Sequence, residues 1–409
     1  MKFVFIDRDR IGVFEDGKTA LYDSTYIQSY KENAKRLEKN REWKKKSDVL
    51  IEDGYYGFGG EPIHSRVHSA CFTTEENKIA YTCSVNELSR ICFKYLDDKE
   101  KTEAHVVSSN EVNFLSYSVN EDGKAVGSVQ TGEESADIAL FTDNGDYKLV
   151  TSGDSLDENP FVDERGRVLF NSYGIGRDED NDFITYIPSE IFEYDLRAME
   201  IKTLLSDEKY SFVKPMKGEN GDLYCIRKPG AERRKENVIL TILLIPVRIV
   251  EAIIGFISVF VSIFAGKPLV SGKAIGGGEA RRKEKDPKEV FVQNQLINVE
   301  RECKRNKKTE DGGFIPKEWK LLRYRKSGDD FEEKYELKEE LASGVADFCL
   351  AKENGKTVVL YTNGQRVFAL EEKEGKWVKK KLIHTDFCVN ISALYGIEGK
   401  TDELDELFR

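Results

Sequence analysis

Carboxylates alternate along one short stretch of the chain, at Asp178, Asp180 and Asp182. Oxygen ligands at positions one, three and five are typical of calcium-binding loops. Such a loop also needs a glycine at its sixth position and an acidic residue at its twelfth, where this chain has Phe183 and Ser189. We therefore expect a solvated acidic loop and no metal site, with the three aspartates as the one remaining calcium candidate.

The other residues with chemical potential do not match the spacing of a catalytic motif. His64 and His68 are four residues apart, but no third zinc ligand accompanies them. The sequence lacks the GxSxG, phosphate-loop and HExxH patterns. Polar residues on apolar strands, such as Asn113, Ser116 and Asn390, are too general a feature to define an active site. We predict no cofactor and no catalytic residue; an enzyme stays open, but a non-enzymatic role is favoured.

The seven cysteines predict free, buried thiols. None belongs to a CxxC pair, and most lie in apolar stretches typical of strands. Free thiols persist in reducing compartments. Disulfides or zinc binding are the alternatives. The first ten residues contain an apolar run of only four, so we expect no secretory signal.

One segment differs from the rest of the chain in hydropathy. Charged residues make up 33% of the protein, but residues 238–265 contain only Arg248 and Glu251. About 20 apolar residues can cross a bilayer, so the length permits a span. Pro246 should break the segment, and the piece before it is then too short for a hairpin of two spans. We therefore predict that the segment enters a membrane from one side without crossing it.

The predicted lipid contacts fall into an apolar set and a basic set. The apolar side chains lie on the broad face of a helix with a narrow polar stripe, which is typical of interfacial helices. They are Ile242, Leu243, Ile249, Ile253, Phe256, Ile257, Phe260 and Phe264. Basic residues on both flanks would bind anionic lipid and stay on the cytoplasmic side. They are Arg233, Arg234, Lys235, Arg281, Arg282 and Lys283.

Charge is distributed unevenly in the same region. The formal net charge is −11, yet residues 231–320 contain 18 Lys and Arg against 12 Asp and Glu. A basic segment inside an acidic protein is typical of contact with anionic lipid. We predict no nucleic-acid partner.

The remaining sequence consists of short apolar strands, and one type of turn between them recurs. A Gly or Asn, which tolerates positive φ in a tight hairpin, occupies the same place in each copy. These positions are Asn77, Gly123, Gly166, Gly221, Gly355 and Gly399. The spacing is 43 to 55 residues except for one gap of 134, and removing residues 231–318 from that gap leaves about 46. A period of this length is typical of four-stranded propeller blades.

The repeats predict an all-β fold, a six-bladed β-propeller. Five units are complete; the sixth joins the C-terminal strand in "DFCVNISALY" to three N-terminal strands, which would close the ring and remove open sheet edges. This arrangement resembles six-bladed propellers of the TolB type, here in a bacterial-type protein with a hydrophobic insertion. The WD and GH signatures of WD40 repeats are missing. A seven-bladed ring is one alternative, and a β-solenoid or two β-sandwiches is another.

The repeat positions also predict the organisation of the chain. The predicted segments are three strands of the first blade (1–22), a basic helical connection (23–66), blades two to five in part (67–227), a hydrophobic and basic helical insertion (228–318), the rest of the propeller (319–395) and an acidic tail (396–409). Helices are expected at residues 24–46, with Ile27, Tyr30, Ala34 and Leu37 on one face, and at residues 288–308. The long connections share one face, which we expect to be the functional one.

These features favour a membrane-associated interaction module or scaffold. It would lie on the cytoplasmic side of the cell membrane, as a peripheral or monotopic protein, with lipid of the cytoplasmic leaflet and an unidentified protein as partners. The alternatives are a propeller enzyme with a site in its central channel, and a soluble subunit that binds a protein partner through residues 238–265.

Overall fold

The computed structural model describes most of the chain outside the apolar segment. The described residues are 1–46, 64–97, 103–120, 122–142, 145–163, 165–230, 289–307, 311–328, 334–353 and 355–394. The chain divides into two units, residues 1–231 with 288–409, and residues 232–287. The second unit lies outside the described residues, and all elements named below belong to the first.

Six antiparallel blades of four strands form the fold, which confirms the predicted six-bladed propeller. From the centre outwards, blade 2 contains β4 (Ser65–Phe72), β5 (Lys78–Val85), β6 (Leu88–Tyr95) and β7 (Ala104–Ser109). Blade 3 contains β8 (Asn113–Val119), β9 (Ala125–Gln130), β10 (Ala136–Phe141) and β11 (Tyr147–Leu149). Blade 4 contains β12 (Ser155–Val162), β13 (Arg167–Arg177), β15 (Glu190–Asp195) and β16 (Glu200–Leu205), and β14 (Phe183–Tyr186) extends β13 as a hairpin.

The remaining blades include the two regions where the chain departs from simple repetition. Blade 5 contains β17 (Tyr210–Lys217), β18 (Leu223–Pro229), β21 (Lys320–Ser327) and β22 (Lys334–Ser343). The long insertion therefore separates its second strand from its third. Blade 6 contains β23 (Asp347–Glu353), β24 (Lys356–Thr362), β25 (Gly364–Lys373) and β26 (Lys376–Ser392). Blade 1 contains the end of β26 followed by β1 (Lys2–Asp7), β2 (Arg10–Glu15) and β3 (Lys18–Tyr22).

Strand β26 closes the ring because it belongs to two blades. Its first part pairs with β25, and its last residues pair with β1 from Asp7 opposite Cys388 to Val4 opposite Ser392. At the point of transfer, Asp7 Oδ1 accepts hydrogen bonds from the backbone nitrogens of Asp386 (3.1 Å) and Phe387 (2.7 Å). The two ends of the propeller sequence are thus joined within one blade, as predicted.

The recurring turns have the backbone conformation that their residues suggest. The φ angles at Asn77, Gly123, Gly166, Gly221 and Gly355 lie between 56° and 82°. Each of these residues closes the hairpin between the first and second strands of its blade, so all five lie on one face of the propeller, called here the turn face. Gly399 lies outside the described residues.

Apolar side chains fill the spaces between neighbouring blades. Ile6 of β1 and Tyr81 of β5 belong to the cluster between blades 1 and 2, and Ile91 and Phe114 belong to the cluster between blades 2 and 3. Burying one such side chain stabilises a fold by about 1.5–3 kcal/mol. All seven cysteines are free, and all except Cys303 are buried, which agrees with the predicted free thiols.

Helix α1 (Thr25–Lys46) leaves blade 1 on the face opposite to the turn face, called here the insertion face. Ser24 starts the helix, because its hydroxyl accepts from the backbone nitrogen of Ile27 at 3.2 Å. Ile27 is buried in the cluster between blades 1 and 2, but Leu37 is 59% exposed. The helix is confirmed. Of its predicted apolar face, Ile27 and Tyr30 contact the propeller, since the Tyr30 hydroxyl accepts from Asn86 Nδ2 at 3.2 Å.

The end of the long insertion corrects one prediction. The helix expected at 288–308 is wrong for its first half, where β19 (Glu289–Val292) and β20 (Gln295–Asn298) form a hairpin. Buried and exposed side chains alternate along both strands, and Gln293 and Asn294 adopt the positive φ of a tight hairpin turn. Helix α2 (Val299–Asn306) follows, and Asn298 caps it by accepting from the backbone nitrogen of Arg301 at 2.9 Å.

The closure of the ring leads to a first prediction. Replacing Asp7 by Ala should lower the free energy of unfolding by about 1.5–3 kcal/mol, because two backbone N–H groups lose a charged acceptor. Asp386→Ala is the matched control, since it removes only the exposed ion pair with Arg8 at 3.4 Å and should have little effect. Urea unfolding of both variants measures the difference. Equal stability of the two variants would mean that Asp7 does not secure the closure.

Candidate functional site

The innermost strands of the six blades surround a central channel that contains a cavity of about 110 Å³. Each blade contributes side chains to its wall. The polar side chains of this wall lie among apolar ones, and they include Ser69, Ser116, Asn159, Lys214 and Asn390. The lining also includes Asn120 and Lys124 beside the turn of blade 3. The cavity therefore extends from the middle of the channel towards the turn face.

Two of the lining residues lie at irregularities of the inner strands. Asn159 in β12 and Lys214 in β17 have φ angles of 54° and 53°, and the strand register shifts at both points. Each is followed by a proline, which cannot donate to a sheet and is tolerated at bulges. Asn171 of β13 holds both bulges, because its Oδ1 accepts from Asn159 Nδ2 (2.9 Å) and from the Lys214 backbone nitrogen (3.0 Å).

An ion pair crosses the channel wall between blades 5 and 6. Lys214 Nζ lies 2.6 Å from Asp347 Oδ1 and donates to Oδ2 at 2.7 Å. Asp347 Oδ2 also accepts from the Ile391 backbone nitrogen at 2.8 Å, so the same carboxylate contacts blade 1. Burial raises the pKa of Asp347, and the Lys214 ammonium and two backbone amides oppose that effect. The pair gives the cavity one fixed cation with its compensating anion.

The other mouth of the channel is covered by residues 289–307 and 311–319, called here the cap. Its apolar side chains Val292 and Ile297 pack in one cluster with Trp319 and with Phe387 and Val389 of β26. Its hairpin turn reaches the inner strand of blade 4. There Gln293 Oε1 accepts from Asn159 Nδ2 at 3.1 Å, and Asn294 Nδ2 donates to Glu158 Oε2 at 2.6 Å. The cap thus closes the channel on the insertion face.

A partly buried acid and a buried base lie beneath the cap. Lys228 is the second-to-last residue of β18, just before the insertion, and its Nζ donates to the backbone oxygen of Gln293. Burial lowers the pKa of Lys228 to about 7, and the Glu158 carboxylate partly opposes this. Burial raises the pKa of Glu158 to about 7, against the hydrogen bond from Asn294 and the charge of Lys228. Both groups therefore change protonation near neutral pH.

These groups can bind a small polar molecule, but they do not form a catalytic constellation. The cavity offers hydroxyl, amide and ammonium groups that hydrogen-bond a polar ligand. Glu158 and Lys228, whose pKa values are both shifted to about 7, do not line that cavity. They lie behind the turn of the cap. The site is therefore a binding cavity with one open mouth.

The structure brings only some of the sequence-predicted polar residues together. Ser116 and Asn390 both line the cavity. Asn113 lies at the opposite end of β8 and donates from Nδ2 to Gln130 at 3.1 Å. His68 shares a hydrogen bond with Ser84 Oγ at 2.8 Å, and burial lowers its pKa to about 4.

The three aspartates of the calcium candidate form a closed turn at the tip of the β13–β14 hairpin. Asp178 Oδ1 accepts from the backbone nitrogens of Asp180 (3.0 Å) and Asp182 (2.8 Å). Arg177 next to them forms an ion pair with Asp154 at 2.6 Å. Within the described stretches, no group of three or more His, Cys, Asp or Glu side chains could hold a metal ion.

The predicted lipid contacts cannot be placed. The apolar set from Ile242 to Phe264 and the basic set at 233–235 and 281–283 all lie outside the described residues. Among the helices that the structure describes, none combines the length and the hydropathy needed to span a bilayer.

Several residues of the channel were not found from the sequence. Glu158, Lys228 and Asp347 have no motif around them. A signal did exist for the bulges, because Asn159-Pro160 and Lys214-Pro215 are 55 residues apart and each precedes its turn glycine by seven residues. A proline at the same offset in two successive repeats indicates a shared irregularity rather than a broken strand.

No family model matches the sequence, and no curated protein matches it. A solved structure of a protein from Lactobacillus plantarum is 8% identical, with 96% of this chain and 99% of that chain covered and a TM-score of 0.43. The tricorn protease is 12% identical, with 95% of this chain covered and a TM-score of 0.40; this chain spans only 34% of its length. Such values are too low to carry an argument, so the propeller assignment rests on the strand order.

The raised pKa of Glu158 leads to a second prediction, on stability against pH. Below pH 4.5 its carboxyl is neutral in both states, and up to about pH 7 only the unfolded chain loses the proton. Stability should therefore fall as pH rises through this window. Glu158→Gln keeps an acceptor for Asn294 without the titration, so the wild type should lose about 3 kcal/mol relative to this variant between the two limits.

Urea unfolding at several pH values measures this difference. Glu300→Gln, which removes an exposed carboxylate on α2, is the control and should follow the wild-type profile. Parallel profiles for the wild type and Glu158→Gln would contradict the buried, neutral carboxyl.

Proposed function

We propose that this protein is a membrane-associated β-propeller interaction module on the cytoplasmic face of the cell membrane. Residues 238–265 attach it from one side, and the propeller presents its turn face and open cavity to a protein or small polar partner. The proposal includes a relation to propellers of the TolB type, which the count of six blades supports. It also includes attachment through the hydrophobic insertion, which the hydropathy of residues 238–265 supports.

One contact supports attachment from a single side. Lys228 lies three residues before the undescribed segment, and Gln293 lies five residues after it, yet the Lys228 ammonium donates to the Gln293 backbone oxygen. A single crossing would separate the two ends of the segment by the thickness of the hydrocarbon core, about 30 Å. Ends held within hydrogen-bonding distance are compatible only with a segment that returns to the side it left.

The composition of the segment supports lipid as its partner. Its apolar side chains would gain about 25 cal/mol for each Å² removed from water. The basic residues on both flanks add about 1 kcal/mol each near an anionic surface, and salt weakens that contribution. The apolar and electrostatic parts can therefore be separated by experiment.

A propeller enzyme is the second candidate, and one observation favours it. Lys214 has positive φ, which is rare for a long side chain, and it lines the channel cavity. Strained polar residues in cavities are typical of functional sites. The side chains of this cavity do not define a reaction, so we retain the interaction module as the proposal.

The proposal predicts the outcome of a deletion. Replacing residues 232–287 by a short Gly-Ser linker should leave a folded propeller, because the two ends already meet at Lys228 and Gln293. Full-length protein should sediment with vesicles of phosphatidylcholine and phosphatidylserine, and the deletion variant should stay in the supernatant. Full-length protein that does not bind the vesicles would contradict the proposal, and so would a deletion variant that still binds them.

Two substitutions separate the apolar and basic contributions. Phe256→Glu with Phe260→Glu should release the protein from any vesicle, because a charge in hydrocarbon costs about 2.5–3.5 kcal/mol. Neutralising Arg281, Arg282 and Lys283 should weaken binding only to vesicles that contain phosphatidylserine. If the Glu variant binds and the neutralised variant does not, the attachment is electrostatic rather than apolar. If a soluble partner co-purifies with full-length protein and vesicles do not bind, the segment is a protein-binding surface.

A further inference from the structure

Large apolar side chains are exposed around both ends of the undescribed segment. Phe291 and Leu296 form a cross-strand pair in the cap hairpin and are 63% and 50% exposed. Ile187, just after β14, is 52% exposed. These three residues are called here the collar. Single exposed apolar residues are common on proteins, but a group at one place indicates an interaction.

The cap hairpin shows why the collar is not part of the core. Val290, Val292 and Ile297 fill its inner face and are buried. Successive side chains of a strand point to opposite faces, so Phe291 and Leu296 lie on the outer face. A hairpin with one covered face normally has polar residues on the other. Here the outer face has one polar pair, Glu289 with Asn298, and next to it the apolar pair of Phe291 and Leu296, so two large apolar side chains lie exposed to water.

The collar flanks the points where the segment leaves and returns. Gly230 is the last described residue before the segment, and a Cβ placed on it would lie only 3.0 Å from Pro188, the neighbour of Ile187. Phe291 comes two residues after Glu289, the first described residue on the return. Tyr173 connects the two hairpins, because its ring contacts Tyr186 and its hydroxyl donates to Gln293.

We propose that the collar lies at the boundary between headgroups and acyl chains when the protein is attached to a membrane. This inference rests on the proposed function. The occupant is lipid because fifty-eight residues of chain, including the apolar segment, begin beside Ile187 and end beside Phe291. A bilayer that receives this segment must also meet the side chains at its base. The collar then sets how close the insertion face comes to the bilayer.

Charge on the same face decides which part of it is closest to lipid. The tip of the β13–β14 hairpin carries the exposed carboxylates of Asp178, Asp180 and Asp182, which an anionic headgroup layer repels. Phe291 and Leu296 belong to the other hairpin. We therefore expect the cap hairpin to lie deeper than the acidic tip.

A fluorescence label tests the position of the collar in the full-length protein. Leu296→Cys in a Cys303→Ser background carries an environment-sensitive dye, since the other six cysteines are buried. Leu337→Cys is the matched control, because Leu337 is 54% exposed on outer strand β22, away from the collar. With vesicles of phosphatidylcholine and phosphatidylserine, the emission at 296 should shift to the blue and that at 337 should not.

Binding affinity gives a second readout. Phe291→Ser with Leu296→Ser should weaken sedimentation with the same vesicles by about tenfold or more, given the apolar area that the two side chains remove from water. Leu337→Ser should leave binding unchanged. Thermal unfolding of both variants should match the wild type, because the substituted side chains are exposed.

The outcomes distinguish this inference from the proposed function. If the wild type sediments but a label at 296 stays water-exposed, the collar proposal is wrong and the membrane module stands. If the wild type does not sediment, both are wrong. A label that is shielded without vesicles and becomes exposed in the 232–287 deletion would assign the collar to the chain's own segment. A label shielded only at high protein concentration would assign it to a second copy, and both results overturn lipid as the occupant.

Discussion

The pairing of β1 with the end of β26 is the contact on which the ring depends. Each blade buries its apolar surface only against two neighbours, so a ring with one unpaired junction would expose two blade faces to water. The junction is closed by four backbone pairs and by the Asp7 carboxylate, which bonds two consecutive amides where β26 changes blades. Because the end of β26 is the innermost strand of blade 1, the three N-terminal strands can leave the ring only by breaking these hydrogen bonds.

The channel depends on that closed ring, and polar groups connect its sides. Asp347 accepts from Lys214 of blade 5 and from the backbone of Ile391 in the closing strand, so one buried carboxylate joins three blades. Asn171 similarly joins the bulges of blades 4 and 5. The cap adds a second set of polar contacts, around Glu158 and Lys228 on the insertion face. Polar contacts of this kind require specific partners, so they define the geometry of the channel more strictly than apolar packing alone would.

The fold could be predicted from the sequence because the same tight hairpin turn recurs from blade to blade. Positive φ in a tight hairpin selects Gly or Asn, so the turns at 77, 123, 166, 221 and 355 mark the blades independently of the strands between them. The cap was not predicted, because its hairpin lies between an apolar segment and a basic helix. Its apolar residues are consecutive, at 290–292 and 296–297, so no period of two distinguishes these strands from a helix. The channel residues were harder still: Asp347 becomes a partner of Lys214 only when blades 5 and 6 are neighbours, and no local pattern contains that pairing.

The shared strand also has a consequence for synthesis. Asp7 and the amide of Phe387 are 380 residues apart, so at ordinary elongation rates β1 to β3 wait roughly 20 to 80 s for the strand that completes their sheet. During that interval the inner edge of β1 offers unpaired N–H and C=O groups, a template for pairing with another nascent chain. Four of its six residues are buried and apolar in the finished ring. The order in which the ribosome delivers the strands therefore makes the first blade the last to be completed, and its open edge is the kind of surface that chaperones shield.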